Sequence, residues 1–218
     1  MHVAKEFNAA IASWNLGKLS GQLATNALSV VSGKIGKIWI ALQEIEGWPG
    51  SANLGDGWRL FRLPGAKAGF AFPATWSAEV AIPPYPVSEV GRLHICSMIL
   101  SGVCVISCYL PSGDKGRSVP LEILKEMDAI VQRSKWDGIY KVVVMGDFNA
   151  IPAEWSDELL DRLGMQLIIP QVEFTCKTAT EKSLIDYILV SRSIAPLVKN
   201  VKVIGDKTGD RIPFSPHF

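Results

Sequence analysis

The sequence predicts an α/β or α+β sandwich with its helices on the outside. Three observations carry that expectation. Ile38 to Leu42 and Lys141 to Met145 are apolar runs without polar alternation, as in central strands covered on both faces, and each leads directly into an acidic residue. Arg92 to Leu100 and Val103 to Tyr109 flank Ser101-Gly102, a two-residue hairpin signal. Leu121 to Gln132 and Glu154 to Leu163 carry apolar residues at helical spacing. Buried strands, a hairpin and amphipathic helices fit one layered core.

Taken in order, Phe7 to Trp14 reads as a strand that ends at Asn15, followed by a Gly- and Ser-punctuated turn and a helix from Gln22 to Val31. Ile38 to Leu42 stops at Gln43-Glu44, so a carboxylate sits where a buried strand ends. Trp58 to Leu63 and Gly69 to Phe72 are two further strands before the hairpin. Ser118 and Pro120 open the helix at Leu121, with Leu124, Met127 and Val131 on one face. The strand Lys141 to Met145 runs into Gly146-Asp147-Phe148-Asn149. Gly164 closes the helix that starts at Glu154. Leu167 to Ile169, Leu184 to Ser191 and Val198 to Ile204 are strands, and Gly205 to Arg211 is a polar loop before Ser215-Pro216-His217-Phe218.

At 218 residues and 48% hydrophobic, the chain can bury a large core as one domain. Its formal charge of +1 excludes a global field that would draw in nucleic acid, so any basic surface must be local. Met1 to Phe7 holds no signal-peptide core and no stretch reaches bilayer-spanning length, so the expectation is an intracellular protein without a membrane partner. Cys96, Cys104, Cys108 and Cys176 lack paired zinc-site spacing and read as reduced thiols. His2 and His94 have no motif partners and read as structural or incidental, His94 within a strand.

Chemistry gathers at the strand ends. Asn15, Glu44, Tyr109, Asp147, Asn149 and Asp186 all lie in or beside expected strands, where open sheets place their sites. Carboxylate and amide oxygens suit a hard cation such as Mg2+, which keeps several waters and shares its shell with substrate phosphate. Asp147 and Asn149, two residues apart, can reach one side of an extended segment as a base and a water-holding group. Taken alone, Gly146-Asp147 also reads as a tight Asx turn, Tyr109 as a core tyrosine with its hydroxyl at the rim, and His217 as an incidental terminal residue. Asp186, between Leu184-Ile185 and Tyr187-Ile188-Leu189, is a costly place for a carboxylate without a function.

The combination resembles the metal-dependent endonuclease/exonuclease/phosphatase family along nearly the whole chain. Ser13-Trp14-Asn15-Leu16-Gly17, Leu42-Gln43-Glu44, Cys108-Tyr109-Leu110-Pro111, Gly146-Asp147-Phe148-Asn149-Ala150, Ser183 to Leu189 and Ser215-Pro216-His217-Phe218 are similar to six of its motifs, in family order. The resemblance implies a four-layered αββα sandwich of the DNase I-like kind, with two packed mixed sheets and the site between their edges. It assigns Glu44 to a metal, Mg2+ or Mn2+, with Asn15 close by. It assigns Asp147 to orienting or deprotonating water, Asn149 to holding that water or the phosphate, and Tyr109 to a phosphate oxygen. Asp186 would support the metal or pair with His217, and His217 would stabilise charge at phosphorus.

Two departures stand out. Pro216 replaces the aspartate that usually holds the histidine, so Asp210 or Asp186 is expected to take over that role. The chain also stops at Phe218, where relatives continue into a last strand, so residues 1–218 read as a single domain from a longer polypeptide.

Within the family, the short loops and the Ser183 to Leu189 form are most similar to the apurinic-type endonuclease domains of non-LTR retrotransposons. That likeness implies DNA as partner and substrate, a nick that leaves a 3′ hydroxyl for priming, a reverse transcriptase further along the polypeptide, and action in the nucleus. Lys115, Arg117, Lys182 and Arg211 stand beside the motifs and are candidates for contacting a phosphate backbone. Cleavage of abasic DNA, hydrolysis of a small phosphate ester, or a nucleic-acid-binding pseudoenzyme weakened by Pro216 remain as alternatives.

Overall fold

In the computed structural model, residues 10–16, 38–48, 50, 52–55, 57–76, 80–81, 88–111, 121–170, 175–177, 182–198, 200–203 and 214–217 are described. The expected helix at 22–31 and loop at 205–211 lie outside them.

Among the described residues fifteen strands are placed: β1 Ala10–Asn15, β2 Ile38–Gln43, β3 Ala52–Gly55, β4 Trp58–Arg62, β5 Ala68–Pro73, β6 Val80–Ala81, β7 Ile95–Leu100, β8 Val103–Tyr109, β9 Lys141–Asp147, β10 Met165–Ile168, β11 Cys176–Lys177, β12 Lys182–Ser183, β13 Asp186–Ser191, β14 Asn200–Val203 and β15 Phe214–His217. They form a seven-stranded sheet in the order β14-β15-β1-β2-β5-β4-β3, a six-stranded sheet in the order β10-β13-β9-β8-β7-β6, and the small pair β11-β12. Each large sheet is mixed, and the parallel pairs are β1 with β2 and β8 with β9.

The apolar runs explain this arrangement. Every residue of β2 is buried, and all of β9 after its first. Alternate side chains must therefore meet apolar matter on both faces. On the inner faces, Ile11, Trp39, Ala41 and Phe70 of the first sheet pack with Met98, Val105, Val143, Met145 and Ile188 of the second. Trp39 stacks on Phe72 with ring centroids 4.9 Å apart. The outer face of the second sheet, including Ile106, Val144 and Leu189, packs against Met127, Ile130, Val131 and Leu163 of two helices, α2 Leu121–Trp136 and α3 Asp157–Leu163. Ala12, Trp14, Ile38, Ile40 and Leu42 form a third buried cluster on the outer face of the first sheet. Two packed mixed sheets with helices outside are the sandwich that the pattern predicted.

The β7–β8 hairpin turns at Ser101 and Gly102, both at positive φ (46° and 77°), as a two-residue turn matched to sheet twist requires. Several boundaries differ from expectation. Arg92 to His94 belong to a short helix, α1 Glu89–His94, and β7 starts only at Ile95. The side chain of Ser88 caps α1 by accepting from the Gly91 N–H at 3.0 Å. The helix expected from Glu154 divides into a 3₁₀ turn, Pro152–Glu154, and α3, which Ser156 caps and Gly164 ends in the left-handed conformation. The strand expected from Leu184 begins at Asp186.

Among the described residues, no helix is long and apolar enough to cross a membrane. Cys96, Cys104 and Cys108 are buried free thiols, and burial pushes Cys96 and Cys104 up to about 12.

Candidate active site

A parallel pair has all its C-terminal ends on one side. Because each sheet contains such a pair, and the sheets pack face to face, the ends of β1, β2, β8 and β9 collect at one edge of the sandwich. Asn15 is the last residue of β1, Glu44 follows β2, and Tyr109 and Asp147 end β8 and β9 as register partners. Strand β13 runs the other way, so its first residue, Asp186, pairs with Asp147. Tyr109, Asp147 and Asp186 thus lie side by side across three strands.

The Asn15 side chain joins the sheets. Its Nδ2 donates to Glu44 Oε1 at 2.9 Å and to Asp147 Oδ2 at 2.5 Å. The other Asp147 oxygen accepts from the Asn149 N–H at 3.0 Å. Asn149 in turn donates from Nδ2 to the Leu110 carbonyl at 2.7 Å, which fixes its amide plane and presents Oδ1 on the opposite edge. Glu44 and Asn149 both stand at positive φ, 57° and 44°, where the backbone turns sharply out of its strand and re-aims the side chain.

Asp147 is buried, at 4% exposure. Its carboxyl is pushed up to about 7, first by burial, then by the neighbouring Asp186 charge and by Glu44; the hydrogen bonds from Asn15 and Asn149 oppose that rise. Three carboxylates therefore converge closely enough to repel, and a bound cation would relieve that repulsion. Among the described residues, no group of three acidic, histidine or cysteine side chains is placed to hold a metal ion by itself. The donor set, carboxylate oxygens only, fits a hard divalent cation that keeps much of its shell as water rather than an all-protein cage. Glu44 and Asp186 carry the oxygens that would hold the ion, and Asn15 uses its nitrogen to tie Glu44 to Asp147.

The loop that bears Asp147 and Asn149 rests on aromatic side chains. Phe148 stacks on Tyr187 at 4.5 Å and meets Trp155 edge-on at 5.6 Å. The Trp155 Nε1 donates to the Tyr187 hydroxyl, which donates to the Ala150 carbonyl at 3.0 Å. Gly146 is required by close approach: a Cβ there would lie 1.8 Å from the Cys108 carbonyl oxygen.

Several supporting residues carried no sequence signal. Thr175 Oγ1 accepts from the N–H groups of Ile185 and Asp186 at 3.1 and 3.0 Å, and so fixes the start of β13. One layer below the site, a buried polar chain links the sheets: Ser13 Oγ donates to Gln43 Oε1 at 3.2 Å, Gln43 Nε2 to Ser107 Oγ at 3.1 Å, and Ser107 Oγ to the Leu42 carbonyl at 3.1 Å. Beside Tyr109, the His94 ring lies parallel to the tyrosine ring, with centroids 6.2 Å apart, and its Nδ1 is 3.0 Å from the Tyr109 carbonyl oxygen. Burial holds His94 below the usual histidine range; the Tyr109 carbonyl opposes that shift and the charge of Lys67 adds to it.

His217 is not brought to this cluster. Its register partners are Ala10 and Asn200, so β15 carries it to the start of β1, five positions from Asn15 and roughly 16 Å away at the rise of an extended strand. Asp186 starts β13 in the other sheet, where its register partner is Asp147. Phe214–His217 itself forms a strand between β14 and β1. Lys182 is exposed on β12, while Lys115, Arg117, Asp210 and Arg211 lie outside the described residues.

The chain belongs to the endonuclease/exonuclease/phosphatase family, whose sequence profile matches residues 12–206. No curated protein gave a significant sequence match. Among solved structures, the 3′-5′ exonuclease NExo from Neisseria meningitidis is similar at 20% identity over 96% of this chain and 99% of that one, with a TM-score of 0.65. NExo has also been solved with a product DNA hairpin. The AP endonuclease LMAP from Leishmania major is similar at 15% identity over 95% of this chain and 86% of that one, with a TM-score of 0.68. The endonuclease domain of TRAS1, a telomere-specific non-LTR retrotransposon, matches at 15% identity over 96% and 97%, with a TM-score of 0.65. At these identities the likeness establishes the fold.

Proposed function

We propose that this protein is a Mg2+-dependent phosphodiesterase that nicks DNA, of the retroelement type, and leaves a 3′ hydroxyl to prime reverse transcription. The observation that carries the reading is the Asn15 side chain bonded to both Glu44 and Asp147, which makes one site from two sheets. The likeness to the TRAS1 endonuclease domain and to DNA-processing enzymes supports DNA as the substrate. A reverse transcriptase on the same polypeptide, and action in the nucleus, belong to the same reading.

Bound Mg2+, or Mn2+, would supply positive charge against the phosphate oxygens. The residues do the rest. Asp147, held at both oxygens by Asn15 and Asn149, takes a proton from the attacking water. Asn149, locked through Leu110, presents Oδ1 to orient that water. Tyr109, beside Asp147, offers its hydroxyl to a phosphate oxygen. Lys182, with Lys115, Arg117 and Arg211, extends the contact along the backbone.

The test is nicking of supercoiled plasmid with Mg2+, run beside abasic-oligonucleotide and inositol-phosphate substrates and beside Glu44→Ala and Asp147→Ala. Faster turnover of either alternative substrate reassigns the activity within the family. The register that pairs His217 with Ala10 favours a second reading, a nucleic-acid-binding module without turnover. That reading wins if the wild type nicks no better than the two variants.

A further inference from the structure

We propose that Lys67 and His94, on the flank of Tyr109, form a binding site for a backbone phosphate next to the one that is cleaved. The inference rests on the nuclease reading and extends it to a polymeric substrate with consecutive phosphates. Lys67 sits at the junction of the two sheets' site ends. Its carbonyl accepts from the N–H of Ile45, the residue after Glu44, at 3.3 Å, and its own N–H donates to the Leu93 carbonyl at 2.8 Å. Its ammonium lies 5.6 Å from the centre of the Tyr109 ring. His94 lies against the same ring, stacked within 12° of parallel.

The hydrogen bonding leaves His94 ready for an anion. A carbonyl oxygen only accepts, so the Nδ1 beside the Tyr109 carbonyl carries the proton, and Nε2 is the atom left to meet a ligand. An arriving phosphate adds negative charge that favours protonation at Nε2 from solvent, after which both ring nitrogens donate. Tyr109 therefore divides the edge. Asp147 and Asp186 stand beside it on its own sheet, suited to a cation, and Lys67 with His94 stands against its ring, suited to a phosphate. A nucleic-acid strand crossing the site would place one phosphate at the acids and a neighbouring one at this pair.

The experiment measures binding of a duplex oligonucleotide by fluorescence anisotropy across a salt series, in EDTA so that no cleavage occurs. Lys67→Gln should reduce the slope of log affinity against log salt by about 1, the signature of one lost phosphate contact, and Lys67→Arg should restore it. His94→Asn keeps a donor for the Tyr109 carbonyl and loses Nε2; it should weaken binding roughly fivefold, as for one lost hydrogen bond. Lys141→Gln removes an exposed charge at the opposite end of β9 and should leave the slope unchanged. Wild-type slope and affinity in both Lys67→Gln and His94→Asn would overturn the proposal, and so would an equal loss of slope in Lys141→Gln or no detectable binding by the wild type. Failure to nick plasmid while these binding differences persist would overturn the nuclease reading and leave the phosphate site standing.

Discussion

Asn15 and Asp147 are 132 positions apart in the chain, yet the Asn15 amide donates to the Asp147 carboxylate at 2.5 Å. The contact exists because a parallel strand pair in each sheet delivers its C-terminal ends to the same edge. One nitrogen serves two acids, since it also donates to Glu44. An amide suits this position because it supplies protons between like charges without adding a charge of its own.

Asn15→Ala should therefore loosen Glu44 and Asp147 together. The expected outcome is a rise of about 10–100-fold in the Mg2+ concentration needed for half-maximal nicking, the range for residues that orient metal ligands. Asn15→Asp should be worse than alanine, because it adds a fourth carboxylate to Glu44, Asp147 and Asp186. A plasmid-nicking titration that gives wild-type Mg2+ dependence for Asn15→Ala would show that the amide does not organise the acids.

The strand ends were readable because buried runs stop at polar residues, so Asn15, Glu44, Tyr109 and Asp147 could be placed there before any contact was known, while Asp186 read as lying inside its strand and instead starts it. Less was visible at Glu89–His94. Six residues contain under two helical turns, too few for periodicity to distinguish from alternation, and only the Ser88 cap marks the start. Residue type also gave no warning that Glu44 adopts a positive φ, since glutamate has no preference for that region. Ser107 and Thr175 were silent because a small hydroxyl residue is unremarkable in a strand or loop; their roles follow from partners 64 and 10 positions away. His217 differs in its backbone register. The resemblance set it at one site with Glu44, Asp147, Asn149 and Asp186, whereas the antiparallel register of β15 pairs its backbone with Ala10.

The raised Asp147 carboxyl makes a prediction about stability and pH. In the unfolded chain an aspartate titrates near 3.8, and in the fold Asp147 is pushed up to about 7. The folded state therefore holds the extra proton between those values, and the stability it confers is present below about 3.8 and lost as pH rises through 7. Asp147→Asn mimics the protonated form. At pH 8 without divalent cations it should melt at least about 2 °C above the wild type, and the gap should close toward pH 4. Mg2+ should stabilise the wild type more than the variant, because only the wild type has a third charge for the ion to offset. An unchanged Tm at pH 8 would mean that the carboxylate is not strained by its neighbours.

Gly146→Ala tests the close approach of β8 to β9. The new methyl group would lie 1.8 Å from the Cys108 carbonyl oxygen and 2.7 Å from its carbon, both backbone atoms in a central strand that cannot step aside. The strands must separate where Tyr109 pairs with Asp147. Urea denaturation should report a loss of about 4 kcal/mol or more, or no folded protein at all. Near-native stability would show that the strands accommodate the methyl group.

The buried chain Ser13–Gln43–Ser107 should behave as one unit. Ser107→Ala removes the acceptor for Gln43 Nε2 and the donor to the Leu42 carbonyl, leaving a buried amide with an unmet proton. That change should cost about 1–3 kcal/mol, because an orphaned buried donor loses its water without replacement. Gln43→Leu removes the amide itself, so Ser107→Ala on that background should cost less. The coupling in a double-mutant cycle should be on the order of 1 kcal/mol. The chain lies one layer below Asn15, Glu44 and Asp147, and Gln43 directly precedes Glu44. Ser107→Ala should therefore also raise the Mg2+ requirement for nicking while leaving the folded fraction at 25 °C intact. Additive stability effects with an unchanged Mg2+ requirement would reduce the chain to ordinary core packing.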